Sequence, residues 1–204
     1  MGASLKVTLA AVGLSVGSFA ASRDAAADEL VPVNPDERAA STGFFAEGGA
    51  GAVTFLPHVS KEADTGPALD LRVGRDLFSW FSLGVMLAAS THEATVPPPP
   101  VDQYFQLYRG AIDARLGGRV NRIAFFAEGG AGAAIISTNI FETVGITSPG
   151  KHVSVQFYGG VGLEYQLLNR HYAIGLAADA FIIPQFSSTK AIDSRLYLRY
   201  TYGG

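Results

Sequence analysis

The stretch Phe125-Phe126-Ala127-Glu128-Gly129-Gly130-Ala131-Gly132-Ala133 decides how the rest of the chain is read. The same nine residues stand 81 positions earlier, at Phe44-Phe45-Ala46-Glu47-Gly48-Gly49-Ala50-Gly51-Ala52. A weaker relative follows at Phe157-Tyr158-Gly159-Gly160-Val161-Gly162-Leu163-Glu164. Recurrence of aromatic, acid and glycine points to one structural unit used again. A helix is a poor home for it, because each interior glycine costs about 1 kcal/mol against alanine. A strand is better, since glycine suits close backbone approach and the tight coiling of a small barrel. Strand alternation puts Glu128, Gly130 and Gly132 on one face. Phe125, Ala127, Gly129, Ala131, Ala133 and Ile135 fall on the other. The lone acid lies on the glycine-lined side. A soluble sandwich shows the same alternation, so this strand alone does not fix the solvent.

Working outward, alternating segments run over 43–55, 68–75, 81–91, 104–116, the second repeat from 123, then 153–166, 172–183 and 193–202. Eight strands of this length suit tilted membrane strands of roughly 9–11 residues. The connections alternate long and short, as in membrane barrels with short periplasmic turns and longer outer loops. The expected fold is therefore all-β: an eight-stranded antiparallel up-and-down transmembrane β-barrel over 43–204. The expected outer loops are 56–66, 92–103, 138–152 and 184–192.

The ends agree with that compartment. Lys6, the apolar run Val7 to Ala21 and the small residues Ala25-Ala26-Ala27 read as a secretory signal over 1–27. Residues 28–42 read as a flexible periplasmic leader. There is no cysteine, which removes disulfides, thiolate metal sites and cysteine nucleophiles. The formal net charge is −3 and no basic patch points to nucleic acid. No cofactor site is expected.

Charge sorting separates a membrane barrel from a soluble one. The acids Glu47, Asp70, Asp113, Glu128, Glu164 and Asp179 share the inner face with Arg72, Arg109, Arg115, Arg195 and Arg199. The middle of the outer face carries no charge. In a soluble barrel the outward residues would meet water, whereas an outward Arg or Lys at the lipid midplane costs about 2–4 kcal/mol. The near-balanced inner charge predicts an ion-pair network, read as a structural plug in preference to an ion path. An eight-stranded bore is just wide enough for side chains, and arginine can bridge two carboxylates. Beyond the signal, the lysines are Lys61, Lys151 and Lys190, each expected in an outer loop. Phe44, Trp80, Phe81, Phe125, Tyr165, Tyr172, Tyr200 and Tyr202 are expected at the turn ends of their strands as a girdle.

With these features, the chain resembles the eight-stranded outer-membrane barrel family typified by the OmpA transmembrane domain and OmpX, over about 43–202. The last strand, Leu196-Tyr197-Leu198-Arg199-Tyr200-Thr201-Tyr202, resembles the C-terminal signal read by the barrel-assembly machinery, with Leu198, Tyr200 and Tyr202 as its apolar positions. Gly203-Gly204 follow where that signal usually ends on an aromatic. More narrowly, Phe44–Ala52, Gly66–Arg75, Tyr104–Gly110, Leu163–Tyr172 and Arg195–Tyr202 are similar to the small myxobacterial outer-membrane proteins of adventurous gliding motility, the CglE type. That resemblance implies a barrel in the bacterial outer membrane, in contact with its lipid, working with other envelope proteins of a motility complex.

Three functions compete. The first is a non-enzymatic barrel that anchors or docks surface components through its outer loops. In this reading Pro97, Pro98, Pro99 and Pro100 form a stiff spacer or contact surface; a loop shaped only to avoid strand pairing is the alternative. The second is a small pore, which needs a continuous wet path through the charges. The third is a lipid-modifying enzyme built on His58, His92 or His152, expected in outer loops beside Ser60, Thr91 or Ser154. No motif spacing binds these into a catalytic set, nor into a metal site, so no enzyme is expected.

Overall fold

Alternation carries straight through into a closed ring. The computed structural model describes residues 42–56, 63–94, 103–137, 153–186 and 188–203. Eight strands pair in chain order and close on themselves: β1 (Phe44–Phe55), β2 (Gly66–Phe78), β3 (Phe81–Ala94), β4 (Gln103–Val120), β5 (Ile123–Ile136), β6 (Val153–Gln166), β7 (Tyr172–Ile183) and β8 (Thr189–Tyr202). Every pairing is antiparallel, including β1 with β8. Closure leaves no edge strand exposed. The expected signal 1–27, all of the leader but Thr42, Pro97–Pro100, His58, Ser60, Lys61, Lys151 and His152 lie outside the described residues.

The nine-residue repeat forms β1 and β5. These strands sit four places apart in a ring of eight, so the two copies face each other across the bore. Glycine earns its place where inner aromatic rings lie across neighbouring strands. A Cβ on Gly130 would fall 2.8 Å from Cε1 of Tyr158, and one on Gly74 would fall 2.6 Å from Cζ of Phe45. The neighbouring strand is nearer still, at 2.4 Å from the Ile112 carbonyl and 2.3 Å from the Leu83 carbonyl, so a side chain at either position would force backbone and ring alike to shift.

Several strands outrun their expected ends. β2 continues to Phe78, so the tight turn expected over Asp76 to Trp80 shrinks to two residues. An irregularity in pairing between Asp76 and Phe78 turns Phe78 outward, where it stacks on Trp80 at 5.4 Å. β4 reaches Val120, and Asn121 makes its turn at a φ of 55°, a left-handed conformation asparagine tolerates. β3 extends to Ala94 and absorbs His92, which was expected in a loop. β8 begins at Thr189 and absorbs Lys190, also expected in a loop.

The connections keep the long–short asymmetry with one exception. The turn-side links are two, two and five residues, and three outer links are ten, eight and sixteen. The fourth outer link, expected as a loop over 184–192, is only five residues. Phe186 explains it: the ring tucks into the apolar part of the bore, and Thr189 N–H closes the turn on its carbonyl at 2.8 Å.

Outward positions form an apolar wall. Ile112, Leu69 and Val161 are more than three-fifths exposed. Among the described strand residues, outward charges are Arg75 near the turn end and Glu93 and Lys190 near the loop end. A patch this large is far beyond what a soluble monomer exposes, and it is what a barrel turns toward hydrocarbon. Phe44, Trp80, Phe125, Tyr165, Tyr172, Tyr200 and Tyr202 are exposed at the turn end as expected, and Phe78 joins them.

Candidate functional site: the filled bore

The bore is layered. Following β4 from the loop end, the inward residues are Phe105, Leu107, Arg109, Ala111, Asp113, Arg115, Gly117 and Arg119. Following β8 from the same end they are Thr189, Ala191, Asp193, Arg195, Tyr197, Arg199 and Thr201. Hydrophobes fill the loop half and charges fill the turn half.

In the turn half, Arg115 joins the two repeats. Its Nη1 and Nη2 donate to the Glu47 carboxylate at 2.8 and 3.0 Å, and its Nε donates to Glu128 Oε2 at 3.0 Å. One planar guanidinium thus clamps acids from opposite walls. Its face lies 4.0 Å from the centre of the Phe126 ring, the aromatic that stands two places before Glu128. The equivalent aromatic of the first copy, Phe45, lies under Arg199 at 4.1 Å. Each repeat therefore supplies both an acid and a ring to the arginines.

The remaining pairs spread around this clamp. Arg199 reaches Glu47 at 3.1 Å and both oxygens of Asp76 at 2.5 and 2.6 Å. Arg72 Nε lies 2.5 Å from Asp113 Oδ2, and its Nη1 lies 3.4 Å from Glu128. Arg195 binds Glu128 and Asp179. Arg119 binds Glu164 at 2.6 Å. Tyr158 donates to Asp113 at 2.8 Å, and Tyr197 to Glu164 at 3.4 Å. Higher up, Arg109 binds Asp193 and lies over the Phe181 ring at 4.2 Å.

The loop half closes with apolar side chains. Val53, Phe55, Leu107, Phe105, Ile136, Ile183 and Phe186 belong to one buried cluster. His92 sits within it at 1% exposure. It meets Ser90 Oγ through Nε2 at 2.8 Å and the Asp64 carbonyl through Nδ1 at 3.0 Å, and it contacts the Phe55 ring edge-on at 4.6 Å. The expectation that His92 lies in an outer loop is thus corrected: its partners are inside the bore. Ser154 is likewise a buried strand residue.

Of the residues expected in the inner network, ten lie in ion pairs: Glu47, Arg72, Arg109, Asp113, Arg115, Glu128, Glu164, Asp179, Arg195 and Arg199. Asp70 faces the bore, but neither of its buried oxygens has a hydrogen-bond partner. Asp76, Arg119 and Asp193 belong to the network and were missed. Asp76 shares the inward parity of Arg72 and Arg119 that of Arg115, so longer strands reveal both; Asp193 already opens the expected strand 193–202, at the inward parity of Arg195. Leu198, Tyr200 and Tyr202 form one outward stripe on β8.

Searches of known structures return barrels. Neisserial surface protein A (NspA) superposes with a TM-score of 0.59 at 11% identity, over 79% of this chain and 99% of that one. The outer membrane enzyme PagL gives 0.45 at 15% identity, over 78% and 99%. Ail, the attachment invasion locus protein of Yersinia pestis, gives 0.45 at 13% identity, over 79% and 97%. No protein-family model matches the chain, and no curated protein matches it. The NspA superposition shows the fold: a closed eight-stranded barrel of the outer-membrane type.

Proposed function

We propose that the protein is a non-conducting, non-enzymatic barrel of the bacterial outer membrane that anchors or docks other envelope components through its loops. The observation that carries this reading is the bore. Buried ion pairs occupy its turn half and buried hydrophobes its loop half. Such a column leaves the protein a rigid post, with activity at its outer rim. The apolar wall supports residence in lipid, and the resemblance to CglE-type proteins supports work within a gliding-motility complex. Insertion would use the barrel-assembly machinery, reading Leu198, Tyr200 and Tyr202.

Two measurements test the proposal. Planar-bilayer recording of folded protein should give no steady conductance; a stable open level would favour the pore. Crosslinked envelopes should yield protein partners that are lost when residues 96–101, containing Pro97–Pro100, are replaced by a short glycine–serine link. Unchanged partners would remove the docking role from that loop.

A further inference from the structure

The bore is not filled all the way to the turn end. A cavity of about 320 Å³ remains there, below the ionic layer. Arg115, Arg119, Arg170 and Arg199 line it, with the carboxylates of Asp76 and Glu164. Those carboxylates are already held: Asp76 by Arg199 at 2.5 and 2.6 Å, and Glu164 by Arg119 at 2.6 Å. Arg170, in the β6–β7 link, is exposed. Arg122, in the β4–β5 turn, belongs to the same sector: its carbonyl accepts from the Gln166 N–H at 2.8 Å and from Arg119 Nη1 at 3.4 Å. Among the described residues, Arg119, Arg122 and Arg170 thus gather at the turn ends of β4 to β7 around the single carboxylate of Glu164, which leaves this sector of the rim positive.

The same sector carries an apolar groove on the outer wall. Leu116, Ala127, Val161 and Ala178 line it across β4, β5, β6 and β7. They stand at one level, because Ala127 pairs with Leu116 and Val161, and Val161 with Ala178. Phe125 and Phe126 line both the groove and the cavity, so the two adjoin. Beside Phe125 the wall is notched: its partner Gly118 also lines the cavity, and a Cβ there would meet open space. A second wall groove, over Gly48 and Ala50 of the first repeat, shares no residue with the cavity.

The turn end of an outer-membrane barrel faces the periplasm. An arginine rim that adjoins an apolar groove matches a molecule with an anionic head and an acyl tail. Guanidinium forks suit phosphate oxygens. Ala127 stands two residues above Phe125, roughly 7 Å at strand rise, a depth that a glycerol ester spans between phosphate and chain. We infer that an anionic glycerophospholipid of the periplasmic leaflet docks here, its phosphate on Arg119, Arg122 and Arg170 and one acyl chain in the groove over Ala127. The site lies at the end opposite the outer loops and stands independently of the docking proposal.

The test uses the full chain folded in phosphatidylcholine vesicles doped with phosphatidylglycerol brominated on its acyl chains. Trp80 is the chain's one tryptophan, so in a Trp80→Phe background a new indole reports alone. Leu116→Trp borders the groove. Val73→Trp stands at the matching level of the other wall, since Leu116 pairs with Ala127 and Val73 with Ala46, the same place in the first repeat. Both native side chains are exposed. Bromine quenching should show phosphatidylglycerol preferred over phosphatidylcholine about fivefold at position 116, the scale of one arginine near an anionic lipid, and no such preference at position 73. Arg122→Gln with Arg170→Gln, both in turns, should bring position 116 to the level of position 73. Heat-modifiable gel mobility verifies that each variant is folded. Equal preference at the two positions, or a preference that survives both substitutions, overturns the assignment. So does its loss on adding inorganic phosphate at constant ionic strength, which would make the arginines a site for free anions.

Discussion

The turn half and the loop half of the bore are closed by different forces. In the turn half, Arg115, Arg72, Arg195 and Arg199 share Glu47, Glu128, Asp113 and Asp179, and each charge depends on its partners. In the loop half, Leu107, Ile183, Val53 and Phe55 fill space and depend on shape. The contrast predicts different failures. Deleting one arginine leaves buried charges unpaired, which costs more than the pair itself contributes. Deleting one hydrophobe leaves a cavity whose cost depends on how far its surroundings collapse.

The largest effect is expected from Arg115→Leu, which removes three buried hydrogen bonds from Glu47 and Glu128 and leaves the two acids to Arg199, Arg195 and Arg72 alone. It should destabilise the barrel by about 3–5 kcal/mol, read as a lower urea midpoint in detergent. A loss under about 1 kcal/mol would show that the clamp carries no load. Next, Leu107→Ala should cost about 2–5 kcal/mol. The two sites lie eight residues apart on one strand, roughly 26 Å at strand rise. Their effects should therefore add within about 0.5 kcal/mol; stronger coupling would mean the halves are one unit. Tyr158→Phe removes one donor from Asp113 and should cost about 1–3 kcal/mol, again by urea midpoint. The smallest effect is salt. Raising it from about 0.1 to about 1 M screens exposed charges but hardly reaches buried ones, so the midpoint of the parent should shift little. A large drop would place the ion pairs in water.

Much of this architecture could be read from the chain because alternation is a strict code. On each strand the hydrophobes mark the outer face, and parity then sends Glu47, Arg72, Arg109, Arg115, Glu128 and Arg199 inward. The differences lie where strands run on past their expected ends, β2 to Phe78 and β4 to Val120. Ending β2 at Arg75 hid Asp76, and ending β4 at Leu116 hid Arg119. Treating His92 as loop hid its bond to Ser90. The layering by height was not legible either. It depends on register between strands, which brings Glu47 beside both Arg72 and Arg199; the sequence of one strand contains no such information. Phe186 is the same kind of case, since only closure of the ring reveals a space for it.

The central claim is that odd and even positions of a strand meet different media, and β4 offers the most direct test. Single cysteines at Ile112 and at its neighbour Ala111, carried through folded barrels in lipid vesicles, can be labelled with a fluorophore or spin label and exposed to a lipid-borne quencher and to a water-soluble one. The label at position 112 should be quenched from lipid, and position 111 should resist both quenchers and label poorly. Quenching of position 112 from water, with position 111 open to lipid, would contradict the account.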